Sequence, residues 1–295
     1  MTTTIEAGIR RVARTIEAVE TSDGAGVRLR RSIGQAHGAR LDPFLMLDEF
    51  SSENPDDYVA GFPSHPHRGF ETVTYMLDGH MRHEDHLGNR GELTSGAVQW
   101  MSAGRGIIHS EMPQQEHGRM RGFQLWINLP AAEKMNPPAY RDIAPAAIPS
   151  VRLDAGAEVR VIAGTFRDGT REVRGPVQGG STAPIYVDVH LPPNASFSQE
   201  IDPALNAFVY VYEGRLAAGP EGEQSSLPAQ TAGVLDAGGV VQVRAGESGA
   251  CFLLLAARPL NEPIVQYGPF VMNTQDEIRQ AVLDYQSGRF GGGPG

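Results

Sequence analysis

Apolar and polar residues alternate along much of this chain with the period of two that strands require. Phe123, Leu125, Ile127 and Leu129 alternate with Gln124, Trp126 and Asn128, and Pro130 ends the run. Across residues 10–33 two strands are expected around a glycine turn. Ile16 and Ala18 precede Asp23-Gly24-Ala25-Gly26, and Val27 and Leu29 then alternate with Arg28 and Arg30. The apolar run Leu41 to Phe50, bounded by acids, suits a buried strand. Glu71 to Leu77 forms another and leads into Asp78-Gly79, a hairpin signal. Beyond that turn His80, Arg82, Glu84 and His86 fall on one face, and Met81, His83 and Asp85 on the other. Neither face looks apolar, so an edge hairpin closing at Gly88-Asn89-Arg90-Gly91 is predicted. Ala97 to Met101 is a further strand. Only the end of the chain reads as helix. Thr274-Gln-Asp-Glu277 is a capping box, Ile278, Val282 and Tyr285 follow at helical spacing, and Gly288 suits the position after the last turn, before a Gly-rich tail.

The second half repeats the first. Ala207 to Gly214 mirrors the strand and turn ending at Gly79, Gly239 to Gly246 mirrors Gly96 to Gly104, and Cys251 to Pro259 stands where Phe123 to Pro130 stood. A repeat of this length predicts two tandem jelly-roll-like β-barrels, an all-β fold closed by one short helix. The proline- and alanine-rich stretch Ala131 to Pro149 marks the crossover. Residues 1–140 are then one domain and 141–295 the other, with 263–290 expected to pack back on the protein. The abundance of glycine (35) and proline (21) agrees with a turn-rich β fold. A formal charge of −10 argues against nucleic acid as a partner. The single cysteine, Cys251, excludes an intrachain disulfide and fits a reducing compartment. The start, Met-Thr-Thr-Thr-Ile-Glu, lacks the pattern of a signal peptide, and no apolar run approaches the ~20 residues that span a bilayer. A cytoplasmic protein with no membrane association is expected.

The histidines change the picture. Seven of the nine lie between His65 and His117. His65 with His67, and His109 with Glu111, are spaced so that each pair shares one face of a strand. Antiparallel strands can bring the pairs together, so three imidazoles and a carboxylate converge on a metal site. Such donors suit iron, manganese, nickel, copper or zinc. With no thiolate nearby, a closed structural zinc site is disfavoured. Four ligands on an octahedral metal leave two positions for a bidentate substrate, or for a substrate and dioxygen. The bland alternative is two solvated pairs on surface strands, and spacing alone leaves both readings open. His80, His83, His86 and His117 read as solvated hairpin and loop residues, and His190 as a hydrogen-bonded structural histidine. Arg28, Arg30 and Arg31 read as a solvated face and as the best candidate patch for a partner. Aligning the halves on Gly79 and Gly214 puts Glu200 and Asp202 at the places of His65 and His67. Aligning Gly104 with Gly246 puts Cys251 and Leu253 at those of His109 and Glu111. One metal is therefore expected, in the first barrel.

Gly61-x3-His65-x-His67-x3-Glu71-x7-Gly79 resembles the first cupin motif, and Gly104-x-Gly-x2-His109 the second, with Gly104 where proline is usual. Arg30 to Gly34, Leu41 to Phe50, His65 to Tyr75, Gly106 to Pro113, Gly122 to Pro130 and Gly268 to Thr274 are similar to segments of the pirin family. The resemblance implies a bicupin with one divalent metal, Fe(II) first and Mn, Ni, Cu or Zn as alternatives. His65, His67, His109 and Glu111 would hold it. It leaves Glu71, a ligand in other cupins, in a supporting or structural role. It also implies quercetin 2,3-dioxygenase activity, which opens a flavonol with dioxygen and releases carbon monoxide. Glu111 is then the candidate catalytic base, with Phe44, Met46, Phe70, Met101 and Phe123 as candidates for an apolar slot. The alternative that the resemblance carries is an iron- and redox-dependent regulatory protein whose partner is another protein.

Overall fold

The structure, a computed structural model, describes residues 8–35 and 39–291. The N-terminal stretch Met1 to Glu6 and the end of the Gly-rich tail lie outside them. The chain forms two compact β units. One gathers the described residues up to Ala18 with Ala146–Pro259, the other Val19–Pro145 with the described residues from Leu260 onward. The strand Val12–Glu17, although first in sequence, hydrogen-bonds to Thr231–Leu235 in the second half. Only Val19–Asp23 and Val27–Arg31 therefore form the hairpin expected around Gly24 and Gly26.

The unit holding Val19–Pro145 is a sandwich of open layers rather than a continuous barrel. Its seven-stranded sheet runs Ala139–Ile143, Val98–Ser102, Phe70–Asp78, Met120–Asn128, Phe44–Ser52, Val27–Arg31, Val19–Asp23. Its four-stranded sheet runs Phe62–His67, Ile107–Pro113, His80–Asp85, Arg90–Thr94. The Asp78-Gly79 signal marks a turn, but not a hairpin. Phe70–Asp78 pairs with strands of the larger sheet and His80–Asp85 with those of the smaller, so the chain changes layer at Gly79, whose φ is 104°. That crossing brings Glu111 of the small sheet within hydrogen-bond reach of Thr74 and Gln124 of the large one.

In the other unit Val12–Glu17, Thr231–Leu235, Asn206–Ala218, Val240–Ala257, Ile185–Leu191, Glu158–Ala163 and Ser150–Arg152 form one path. Ser196–Glu200 adds to the early part of Val240–Ala257, and Ser225–Pro228 to the late part of Asn206–Ala218. Each long strand changes partners along its length, so one continuous sheet wraps an apolar core that includes Val187, Phe197, Val243 and Phe252. The all-β reading with one short terminal helix describes both units.

Residues from Leu260 onward cover the sandwich that holds the histidines. Thr274 and Glu277 make the reciprocal capping bonds of the helix Gln275–Gln286, and Ile278 and Ala281 are its buried side chains. They join Phe270, Met272 and Phe290 in one apolar cluster. Buried polar contacts hold the segment in register. Lys134 Nζ donates to the carbonyls of Gly69 and Val271 and to Asn128 Oδ1. Arg68 donates to Asp284 and to the Arg105 carbonyl, with its guanidinium 4.6 Å from the Phe290 ring centre. A Cβ on Gly69 would meet the Val271 carbonyl oxygen at 2.0 Å, so only glycine allows this approach.

Candidate metal centre

Two neighbouring strands of the four-stranded sheet assemble the histidines. The ladder sets His65 opposite His109 and His67 opposite Ile107, then shifts register before Glu111. Donor atoms of His65, His67 and His109 all lie within 4.8 Å of one another, the sole such cluster of potential ligands among the described residues. His65 Nε2 is 3.0 Å from His67 Nε2, and the His109 ring centre lies 4.4 Å from that of His65 and 4.9 Å from that of His67. Phe70 and Trp126 meet the His67 ring edge-on at 5.1 and 5.2 Å.

This apolar collar sets the protonation. Burial, followed by the neighbouring His65, holds His67 well below the ordinary imidazole value, with the Pro269 carbonyl opposing. Burial, then His67, His65 and His83, does the same for His109. Both rings are neutral at pH 7, the form that binds metal. His109 Nε2 is buried with no hydrogen-bond partner. A buried nitrogen left this way costs free energy unless something accepts its lone pair. Three clustered imidazoles, two of them neutral and one carrying an orphaned lone pair, fit a divalent transition metal.

Glu111 stands beside this cluster and outside it. It is buried, with Oε1 accepting from the Thr74 hydroxyl at 2.8 Å and Oε2 from the Gln124 amide at 3.0 Å. Glu71 is not in the cluster either. Burial, against a hydrogen bond from Trp100 and with Glu133 nearby, pushes its carboxyl up to about 7.

A cavity of about 620 Å³ opens over the centre, lined by His65, His67, Glu111, Gln124, Trp126 and Met46 among others. Of the five apolar slot candidates only Met46 lines it; Phe44, Phe70, Met101 and Phe123 are fully buried elsewhere. The reason is orientation. The ladder pairs Trp126 with Met46 and Gln124 with Asp48, so the polar-looking face of Met120–Asn128 lines the cavity. Phe123, Leu125 and Ile127 occupy the opposite, fully buried face. The alternation marks two faces of the strand, and periodicity alone does not say which of them borders the cavity.

The arginine trio is not a free patch. Arg28 pairs with Asp57, Arg30 with Glu20, and Arg31 with both Asp23 and Asp48. Arg31 lines the cavity, and its two-pronged contact with Asp48 opposes the burial that pushes Asp48 up to about 6.

The greatest departure among the histidines is His83. It is fully buried, not solvated, and its Nδ1 lies 3.2 Å from Nδ1 of His109. The Met81 and His83 face of the strand is the core face, a fact concealed by the mixture of Met, His and Asp upon it. His86 and His117 are exposed, and His80 pairs with Glu92 at 2.7 Å. His190 bonds to Asp188 and Tyr212, as a hydrogen-bonded structural histidine would, and the Asp188 hydrogen bond raises its pKa against burial.

Comparison with known proteins fits this architecture. Residues 26–127 match the Pirin family and residues 186–291 the Pirin C-terminal cupin domain. A Pseudomonas aeruginosa protein named "Putative quercetin 2,3-dioxygenase" is 55% identical over 268 residues, covering 90% of this chain and 93% of its own. Human pirin is 42% identical over 96% of this chain and 94% of its own. The crystal structure of a quercetin 2,3-dioxygenase from Acinetobacter baumannii superposes with a TM-score of 0.87 at 32% identity, covering 96% of this chain and 99% of that one. With two cupin domains and this extent of shared sequence, the chain belongs to the pirin family.

Proposed function

We propose that this protein is a metal-dependent dioxygenase of the quercetin 2,3-dioxygenase type. The observation that carries the reading is a three-histidine cluster, with His67 and His109 buried and neutral, opening into a cavity that also presents Glu111. His65, His67 and His109, with Glu111, would hold one divalent ion, iron(II) first and manganese, nickel, copper or zinc as alternatives. When bound, the ion supplies Lewis acidity and open positions for a flavonol's oxygens and dioxygen.

The chain's own groups do the rest. Met46, Phe50, Phe62 and Trp126 give the cavity apolar walls for a flat aromatic substrate. Glu111 takes the proton of the flavonol 3-hydroxyl on a carboxylate oxygen. Thr74 and Gln124 hold that carboxylate in one orientation, so the base does not have to be recruited. The names carried by the Pseudomonas and Acinetobacter relatives support the substrate class.

The test is oxygen uptake with quercetin, at measured full iron(II) occupancy, with carbon monoxide as the second product followed. Stoichiometric turnover is expected. Full occupancy with no turnover of any flavonol would end the enzyme reading and favour a metal-gated interaction protein, tested by partner capture in the ferrous and ferric states.

A further inference from the structure

A buried group beside the cluster, His83, plays no part in that turnover. His83 comes from His80–Asp85, which flanks Ile107–Pro113 on the side away from Phe62–His67. Its ring is stacked on Tyr140, with centres 4.6 Å apart and planes 28° apart. Tyr140 donates its hydroxyl to Asp142 at 2.6 Å, so it covers the imidazole without competing for it. His83 Nδ1 lies 3.2 Å from His109 Nδ1, and its Nε2 lies 3.5 Å from Oδ2 of Asp85, whose side chain is also buried. The Asp85 carboxylate is fixed in place by the backbone N–H groups of Leu87 and Asn89 and by the Asn89 amide, at 2.8 to 3.0 Å.

Hydrogen-bond directions then locate each proton. Asp85 faces donors only, so it accepts, and His83 Nε2 carries a hydrogen toward it. With its ring hydrogen on Nε2, His83 presents a lone pair at Nδ1. Two nitrogens at 3.2 Å need one donor between them, so His109 Nδ1 carries the hydrogen. The lone pair of His109 is left on Nε2, the nitrogen with no hydrogen-bond partner.

We propose that His83, backed by Asp85, is a positioning residue that locks His109 in the Nδ1–H tautomer and aims its Nε2 lone pair at the metal. The inference rests on the reading of His109 as a ligand. Metal-bound histidines commonly donate their other N–H to an acceptor of this kind, and loss of that acceptor typically costs ~10–100-fold in metal affinity. Here the acceptor is a second imidazole, itself oriented by a carboxylate.

Two measurements on the full chain test it. Imidazole nitrogen NMR of the metal-free protein at neutral pH reads the tautomer, and competitive titration with nickel(II) reads affinity. Wild type should show hydrogen on His109 Nδ1. His83→Phe keeps the ring and its stacking on Tyr140 but offers no acceptor. It should shift His109 toward hydrogen on Nε2 and weaken nickel by ~10–100-fold. His83→Asn, whose side-chain oxygen can accept near the old Nδ1 position, should restore part of both. Wild type with hydrogen on His109 Nε2, or His83→Phe with unchanged tautomer and affinity, would overturn the proposal. A wild type that binds no metal would sink the ligand reading, and with it the purpose assigned to His83. The metal-free spectrum separates that failure from failure of the lock, because it needs no metal.

Discussion

Corresponding ladders of the two units show what separates a candidate metal centre from an ordinary core. In one, Phe62–His67 pairs with Ile107–Pro113 and sets His65 opposite His109. In the other, Ser196–Glu200 pairs with the start of Val240–Ala257 and sets Phe197 opposite Val243 and Gln199 opposite Val241, all four buried. The backbone plan is repeated, but the inward side chains are replaced. Where imidazoles crowd together in the first unit, Phe197 and Val243 join a continuous apolar core in the second. The first unit instead keeps Asp48, Thr72, Thr74, His83, Gln99 and Glu111 buried. Buried polar groups must be satisfied by one another. Its interior is thus organised as a hydrogen-bonded frame around one cluster, at the expense of a continuous apolar filling.

The ladders also correct the repeat alignment. Matching Gly104 with Gly246 put Cys251 and Leu253 at the places of His109 and Glu111. In the structure Thr231–Leu235 takes the role of Val98–Ser102, each lying beside the strand equivalent to Phe70–Asp78. Residues Val240 to Ala245 then take the role of Ile107–Pro113. Cys251 lies further along, opposite His190 and Glu213. A gap-free match on glycines slipped by a whole strand because Val240–Ala257 runs on unbroken where the first half makes two strands.

The largest expected effect tests the comparison outright. Metal analysis of protein loaded with iron(II) should give one equivalent per chain, and His109→Ala should weaken binding by more than the ~10–100-fold that loss of a supporting partner costs. Two equivalents, or undiminished binding by the variant, would erase the distinction between the units. Next in size, Glu111→Gln at equal iron occupancy should lower flavonol turnover by ~10²–10⁴-fold, the usual cost of removing a positioned base. Glutamine keeps the hydrogen bond from Thr74 but is not basic near neutral pH. Wild-type turnover in that variant would move the base elsewhere.

Much of the first unit was legible because its chemistry sits at period-two spacing between glycines. His65, His67 and His109 are brought together as those intervals suggest. What remained hidden was side and partner. No local signal shows that Met81 and His83 face inward when both faces of their strand are polar. Likewise, nothing in Phe123 to Leu129 says that the Gln124 and Trp126 face borders the cavity. The pairing of Val12–Glu17 with Thr231–Leu235 spans over two hundred residues, and no short-range pattern encodes such a contact. The terminal helix, by contrast, was announced by its own capping box, a device made of four adjacent residues.

That helix offers a third test, because the segment from Leu260 packs on the unit with the histidines. Phe270 is buried in the cluster with Ile278 and Phe290, and Phe270→Ala should cost about 3–5 kcal/mol. Leu283, on the helix itself but 55% exposed, should change stability by less than ~0.5 kcal/mol when replaced by alanine. Denaturant midpoints of the two variants measure the contrast. Equal, small effects would mean that the segment contributes nothing to that unit's stability.

The smallest expected effect concerns Glu71, a carboxyl that the second unit lacks at the matching strand end, where Ala207 lies opposite Leu235. Burial outweighs the hydrogen bond from Trp100 and, with Glu133 adding to it, raises the Glu71 pKa from 4.5 to about 7. The folded state therefore prefers the protonated acid more strongly than the unfolded chain does. Its favourable contribution is fully present below pH 4.5 and is lost as pH rises through 7. Above that range the fold must hold an ionised carboxylate in a poorly solvated place. Glu71→Gln removes the titration while keeping an oxygen for the Trp100 indole. Relative to wild type it should gain on the order of 1–3 kcal/mol, accruing as pH rises from 4.5 to about 7 and levelling off above that. Urea unfolding at half-unit pH intervals would show this as a difference curve rising with pH. A flat difference would mean that Glu71 ionises normally, and a falling one that its carboxylate is stabilised by charge in the fold.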